Sequence, residues 1–389
     1  MPEGKKDLAR EGLRKISSFP RPPRDLCAKP FETPVKMPVE KPRIARPKGF
    51  YFEVKAGQRY FWCACGRSAN QPFCDGSHAG TGFSPVLFEA TRDEDVIFCG
   101  CKHTGTRPFC DGTHNDLPGA MLPDDPDSAA NKAVSAVPHG TDAMVRLDGA
   151  CYLFSTSRAG LTRRGTLAYC PVITPARGAL YQAQFYAEIG EGVSPVIGAG
   201  GCETVLFVTE GRGEMEISGR RFAFAPCSGF YVRPGEAFRV YNADSGRIRL
   251  FISHRPGVED LSFPDEMPAD FDETIPHRMA RIDPARRRAM GERYFQILVN
   301  REHGSSELTQ FTGHIPRSKA APHRHLYEEA LIFLNGAGVV WTETAQTTIG
   351  PGDVLFLPRK LAHSVQCTSA DGLDVVGVIC PGDNPSISY

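Results

Sequence analysis

Two short blocks hold most of the soft metal ligands of this chain. Cys63, Cys65, Cys74 and His78 fall within sixteen residues, and Cys99, Cys101, Cys110 and His114 repeat the spacing 36 residues later. Three thiols and one imidazole at such short range suit a tetrahedral site, either zinc or the irons of a [2Fe–2S] cluster, and spacing alone does not choose between them. A second set lies near the other end: His323, His325, Glu329 and His363. Residues two apart in a strand share a face, so His323 and His325 project together. Glu329 follows on the next strand and His363 comes from a later hairpin. Three imidazoles and a carboxylate make a site for Fe(II), Mn, Co, Ni, Cu or Zn with open positions left for solvent or substrate.

The elements that must hold these groups are strands. The 389 residues carry 39 glycines and 32 prolines, and helical periodicity is scarce. Lys plus Arg and Asp plus Glu number 45 each, so the formal net charge is zero and nothing draws the chain to nucleic acid or an anionic membrane. Apolar runs such as Ala330–Leu334 are far shorter than the ~20 residues that span a bilayer. Thirteen cysteines are an odd number for a disulfide framework and fit a reducing cytoplasm. Residues 1–48 hold nine prolines and thirteen Lys or Arg against six acids, which reads as a basic tail with one short helix near Lys5–Lys15. The cysteine unit spans 49–117 and a linker 118–140. A first strand domain covers 141–256, a connector 257–290 and a second strand domain 291–389. Asp283-Pro284 reads as the start of a connector helix. Thr204–Gly211 aligns with Glu329–Gly336, and Ser228–Pro234 with Gly352–Pro358, so the two strand domains are copies of one β unit.

Two resemblances follow from these residues. Cys74-Asp75-Gly76-Ser77-His78 and Cys110-Asp111-Gly112-Thr113-His114 resemble the CDGSH iron–sulfur family motif, with Thr113 in place of Ser. Two motifs in one chain are similar to the tandem branch of that family, which implies two [2Fe–2S] clusters, each held by three Cys and one His. Imidazole in place of thiolate removes negative charge and raises the reduction potential. His103, inside the second block, is a bystander. The second strand domain resembles the cupin superfamily. His323, His325, Glu329 and Gly336 fit its first motif, and Gly352, Pro358 and His363 its second, with Lys360 where the family often has Gly and Cys367 where it often has Asn. The first copy places Gly198, Gly200, Thr204 and Arg239 at the ligand positions, so it should hold no metal; Glu203 alone makes a poor site.

The resulting expectation is a mainly β protein, a small CDGSH domain followed by two jelly-roll cupin barrels. A redox-inert zinc isomerase has no use for one-electron carriers, whereas non-haem iron does. The chain thus reads as an iron-dependent oxygenase or oxidase acting on a small organic molecule with O₂. His323, His325, Glu329 and His363 hold one mononuclear divalent metal, Fe(II) ahead of Mn, Ni, Cu or Zn, and the clusters relay electrons from an external ferredoxin or flavin reductase. A homodimer is compatible with the chain. Two other readings stand beside it: a redox sensor whose cupin binds a metabolite, and a redox-neutral cupin enzyme with a regulatory CDGSH unit. Gln310 and His314, two even-numbered residues of one strand, are expected to line the second barrel.

Overall fold

In the computed structural model, residues 40–117, 123–268 and 270–389 are described. The basic tail expected over 1–48 lies, up to residue 39, outside the described residues, as does its helix near Lys5–Lys15. Residues 41–389 form one compact unit.

The cysteine unit is two small antiparallel ladders. Phe50–Val54 pairs with Glu94–Phe98, and Arg59–Trp62 pairs with Val86–Glu89. Each block follows directly on a strand and is closed by the same bridge, Trp62 to Phe73 in the first and Phe98 to Phe109 in the second. Apolar residues facing inward on all four strands supply an aromatic core, in which Phe52 meets Phe73 edge-on at 4.9 Å and Phe98 lies against Phe109 at 5.7 Å. The chain before the first strand crosses both blocks. Arg43 N–H donates to the Cys65 carbonyl, and Ala45 and Arg46 N–H both reach the Gly100 carbonyl. A Cβ on Gly66 would stand 1.7 Å from the Arg43 carbonyl oxygen, and one on Gly100 2.0 Å from that of Lys48. Glycine beside Cys65 and Cys101 is what admits this crossing segment. The last residues of the expected basic tail therefore pack against both blocks.

The rest of the chain makes two barrels. The first has a seven-stranded sheet that includes Ala183–Ile189, Ile248–Arg255, Glu203–Glu210 and Ser228–Val232. The second has an eight-stranded sheet that includes Arg293–Val299, Thr309–Ile315, Leu373–Cys380, Glu328–Phe333 and Asp353–Leu357. The repeat read from sequence appears as matched pairings: Thr204 lies opposite Val232, and Glu329 opposite Leu357.

The expected boundaries need correction. Met144–Arg146 and Tyr152–Ser155, assigned to the first barrel by their position in sequence, extend the second barrel's sheet beyond Asp353–Leu357. Ser135–Ala136, assigned to the linker, pairs in parallel with Ala345–Ile349 of the second barrel. Met279–Arg281, assigned to the connector, pairs back onto Ser228–Val232 of the first. The two barrels thus exchange strands. Between them a shared core of Tyr152, Val172, Phe207, Tyr231, Ala330 and Phe356 is fully or almost fully buried. The connector helix expected at Asp283 is a single 3₁₀ turn, Pro284–Arg286, capped by the Asp283 carboxylate accepting from Ala285 N–H. The strand Arg288–Met290 ends it, because pairing with Arg293–Val299 outweighs a marginal local helix.

Candidate metal centres

In the second barrel, His325, Glu329 and His363 place one donor atom each within 4.8 Å of one another, and all three are buried. Glu329 sits in the strand Glu328–Phe333, and His325 four residues before it on the loop that enters the strand. His363 is brought alongside by reciprocal backbone bonds, His323 N–H to His363 carbonyl at 3.1 Å and His363 N–H to His323 carbonyl at 3.0 Å. The His323 ring is 4.4 Å from that of His363, yet its donor atom falls outside the trio. Three of the four expected ligands are gathered and the fourth stands at the same wall.

The donors fit a cation. Nδ1 of His323, His325 and His363 lies 3.1, 2.8 and 3.0 Å from the carbonyls of Ala321, Tyr327 and Leu361. A carbonyl only accepts, so each Nδ1 carries the proton and each Nε2 presents a lone pair. His325 Nε2 is buried with no hydrogen-bond partner, and it faces a Glu329 carboxylate oxygen at 3.1 Å. Two acceptors held at that distance repel each other unless a cation lies between them. Metal bonds of about 2.1 Å at right angles give edges of about 3 Å, which matches. Burial, with the neighbouring imidazoles adding to it, holds His323 well below its ordinary pKa; burial takes His363 to about 4. Both are therefore neutral, the form that ligates.

Below the trio is a cavity of about 100 Å³ walled by apolar side chains, among them Phe295, Phe311, Leu331, Leu357, Val365 and Val375. Arg293 is the cation on its wall. Desolvation lowers this guanidinium to about 10, and one of its N–H groups donates to the Val365 carbonyl. Of the two further residues expected to line the barrel, His314 touches the cavity wall while tied to Asp374 at 2.7 Å. Gln310 turns outward and donates to the Leu206 carbonyl of the first barrel, because the odd residues Phe311, Gly313 and Ile315 face the cavity. Arg324, on the loop that carries His325, pairs with Glu343. Glu328, on the opposite face to Glu329, accepts from the N–H groups of Leu180, Tyr181 and Gln182 and fastens the barrels together.

The first barrel has no such cluster among the described residues. Thr204 hydrogen-bonds His254, Arg239 pairs with Glu216, and Glu203 accepts from Ser305, Ser306 and Glu307. Its interior is filled by Phe185, Leu206, Phe230 and Phe238.

The cysteine blocks offer donors in pairs. Cys63 and Cys65 sulfurs are 3.6 Å apart and Cys74 sulfur is 3.1 Å from His78 Nδ1; in the second block the distances are 3.5 Å for Cys99–Cys101 and 3.3 Å for Cys110–His114. No block gathers three donors tightly enough for one ion among the described residues. Two pairs suit a group with two metal atoms better than a single zinc. Backbone N–H groups of Arg67, Gly76 and Lys102 point at the Cys65, Cys74 and Cys99 sulfurs. Asp75 and Asp111 brace their loops identically, accepting from Ala69 and Ser77 and from Gly105 and Thr113. The Ser-to-Thr difference in the second block costs nothing, since Thr113 keeps both the backbone and the hydroxyl bond that Ser77 gives its aspartate. His103 bonds the Cys101 carbonyl. The buried Lys102 ammonium, 3.0 Å from the Cys99 carbonyl, lies over the Trp62 ring.

Comparison with known proteins agrees with this division. Residues 35–79 match the family model for the iron-binding zinc finger of CDGSH type, and residues 314–379 match the cupin domain. A CDGSH iron-sulfur domain-containing protein 3, mitochondrial, from Mus musculus is 54% identical over 52 residues, 13% of this chain and 38% of that protein. Its Homo sapiens counterpart is 44% identical over 75 residues, 18% of this chain and 46% of that protein. The chain thus spans less than half the length of either relative. Similar solved structures include protein Ylba from E. coli, at 16% identity and TM-score 0.48 over 62% of this chain and 96% of that one. A mutant of Bacillus subtilis oxalate decarboxylase has 14% identity and TM-score 0.48 over 62% and 79%. No described helix is long and apolar enough to cross a membrane. The chain is a CDGSH-type iron–sulfur segment fused to a cupin fold.

Proposed function

We propose that this protein is a non-haem iron cupin oxidoreductase, an oxygenase or oxidase that acts on a small organic molecule with O₂ and draws electrons from two [2Fe–2S] clusters. The observation that carries this reading is that the second cysteine block adjoins the metal-bearing wall of the second barrel: His114 and His323 line one cavity of about 100 Å³. The metal, bound by His325, Glu329 and His363 with His323 beside them, would supply O₂ binding and one-electron chemistry.

The chain's own residues link the two regions. The segment after the last strand lies between them. Asn384 Nδ2 donates to the Asp111 carbonyl, Asn115 Nδ2 donates to the Ser386 carbonyl, and Ile387 packs with Ile97 and Cys110. Tyr327 OH donates to the Pro385 carbonyl in the same segment, while the Tyr327 ring stacks on His325 at 4.0 Å. A second tie runs from Lys360 to Asp95 at 2.8 Å and to Tyr51 at 2.9 Å. Lys360, at φ +66°, occupies the left-handed turn where cupins often have Gly, and this ion pair explains the departure. The first block, whose Cys74 and His78 are only half-buried, is the one a ferredoxin or flavin reductase would meet. We place the protein in a reducing compartment, the cytoplasm; the described cysteines are all free thiols, and the two relatives carry "mitochondrial" in their names.

Metal analysis after anaerobic, iron-replete growth, followed by mixing the reduced protein with O₂, tests the reading. Cluster absorption is expected to recover faster in the iron-loaded protein than in His325→Ala, which keeps its cluster spectrum. Zinc in the cupin, or equal recovery in both proteins, overturns it.

A further inference from the structure

The cavity shared by His114 and His323 has a charge pattern that the metal sites do not require. Arg293 and Lys48 both line it, and no acid does. Neither cation has an ion-pair partner among the described residues: Lys48 Nζ donates to the Pro322 carbonyl at 3.2 Å, and Arg293 to the Val365 carbonyl. A guanidinium satisfied by one carbonyl keeps four N–H donors free. Asp111 and Asp116, the acids whose charge acts on His114, line neither cavity, and Glu329 lines only the one beneath the trio. Met290, Arg293, His323 and Pro385 belong to the walls of both this cavity and the one beneath the metal trio, so the two adjoin. One half is therefore cationic and the other largely apolar, and His323, beside the metal trio, lines both.

We propose that this double cavity binds a short organic carboxylate, with its carboxylate held by Arg293 and Lys48 and its hydrocarbon body lodged among Phe295, Phe311, Leu331, Leu357 and Val375. Two half-buried cations without counter-ions are unfavourable until an anion joins them, and a guanidinium fork matches the geometry of a carboxylate. The apolar walls select for carbon over inorganic anions. Placement beside His323 sets the ligand against the wall that carries Glu329 and His363. This assignment deepens the oxidoreductase reading by naming its substrate class and rests on it only for the fate of the ligand.

Calorimetric titration of the full-length protein tests it, with acetate, butanoate, hexanoate, butanamide and inorganic phosphate as probes. Affinity is expected to rise with chain length, to fall at least about tenfold from butanoate to its neutral amide, and to exceed that for phosphate. Arg293→Met should lose about tenfold and Lys48→Met less, with Arg293→Lys recovering part of the loss. Thermal unfolding and metal content identify any variant that has lost its fold. Equal binding of amide and acid, no gain with chain length, phosphate binding as tightly as butanoate, or undiminished binding by a folded Arg293→Met protein each overturns the proposal. The oxidoreductase reading fails separately, through cluster recovery that ignores the cupin metal.

Discussion

The two cysteine blocks have the same candidate ligands, the same bridge and the same aspartate brace, yet they live in different surroundings. A Cβ on Gly76 would meet nothing within 4 Å, whereas one on Gly112 would meet Ser386 Oγ at 2.2 Å. His78 is half-buried; His114 is only 2% exposed, and Cys110 packs with Ile387. One copy faces outward and the other is docked on the barrel. A duplicated motif thus acquires two surroundings through what covers it rather than through its own residues.

Alanine substitution at the paired glycines should break this comparison most visibly. Both glycines are left-handed, φ +94° at Gly76 and +87° at Gly112, so a side chain strains each by about 1–2 kcal/mol. Only Gly112→Ala also collides with Ser386, whose hydroxyl is held by Asn384. It should cost about 1–3 kcal/mol more, and at about 2–4 °C per kcal/mol its melting midpoint should fall clearly below that of Gly76→Ala. Equal midpoints would mean that docking contributes nothing. A finer probe is Lys360→Gly, which relieves a left-handed backbone and removes the ion pair to Asp95. Those effects oppose each other, each about 1 kcal/mol, so global stability should stay nearly level. Hydrogen exchange should nevertheless quicken at Asn115 and Ser386 and remain unchanged around Gly76. The smallest effect is with pH. Burial opposes the charge on Asp95, but hydrogen bonds from Lys360 and Tyr51 outweigh it and hold the carboxyl below its usual range. Its contribution to docking is complete above about pH 4 and is lost as pH falls through the depressed value. Asp95→Asn should flatten that dependence in exchange measured from pH 6 to pH 3.

Local spacing made the chemistry legible. Cys63 through His78 lie close in sequence, and His325 and Glu329 are separated by one turn, so their proximity needs no tertiary information. Lys360 was readable as a departure from a glycine turn, but its reason is Asp95, some 265 residues away. Strand parity failed for Gln310, since nothing in a half-apolar strand says which face meets the cavity. Arg293 and Lys48 belong to no motif. A charged residue opening the largely apolar stretch Tyr294–Val299 was the one available hint, and its meaning depends on chain segments folded beside it. The short helix at Asp283 was misread because a good cap cannot outweigh strand pairing.

The reciprocal loan of strands between the barrels limits how the molecule can be cut. A fragment beginning at residue 291 would leave the edge of Asp353–Leu357, a run of five buried residues, with its backbone donors and acceptors unmet. Such a bare apolar margin recruits other chains, so the metal-bearing half on its own should clump rather than report the chemistry of the whole.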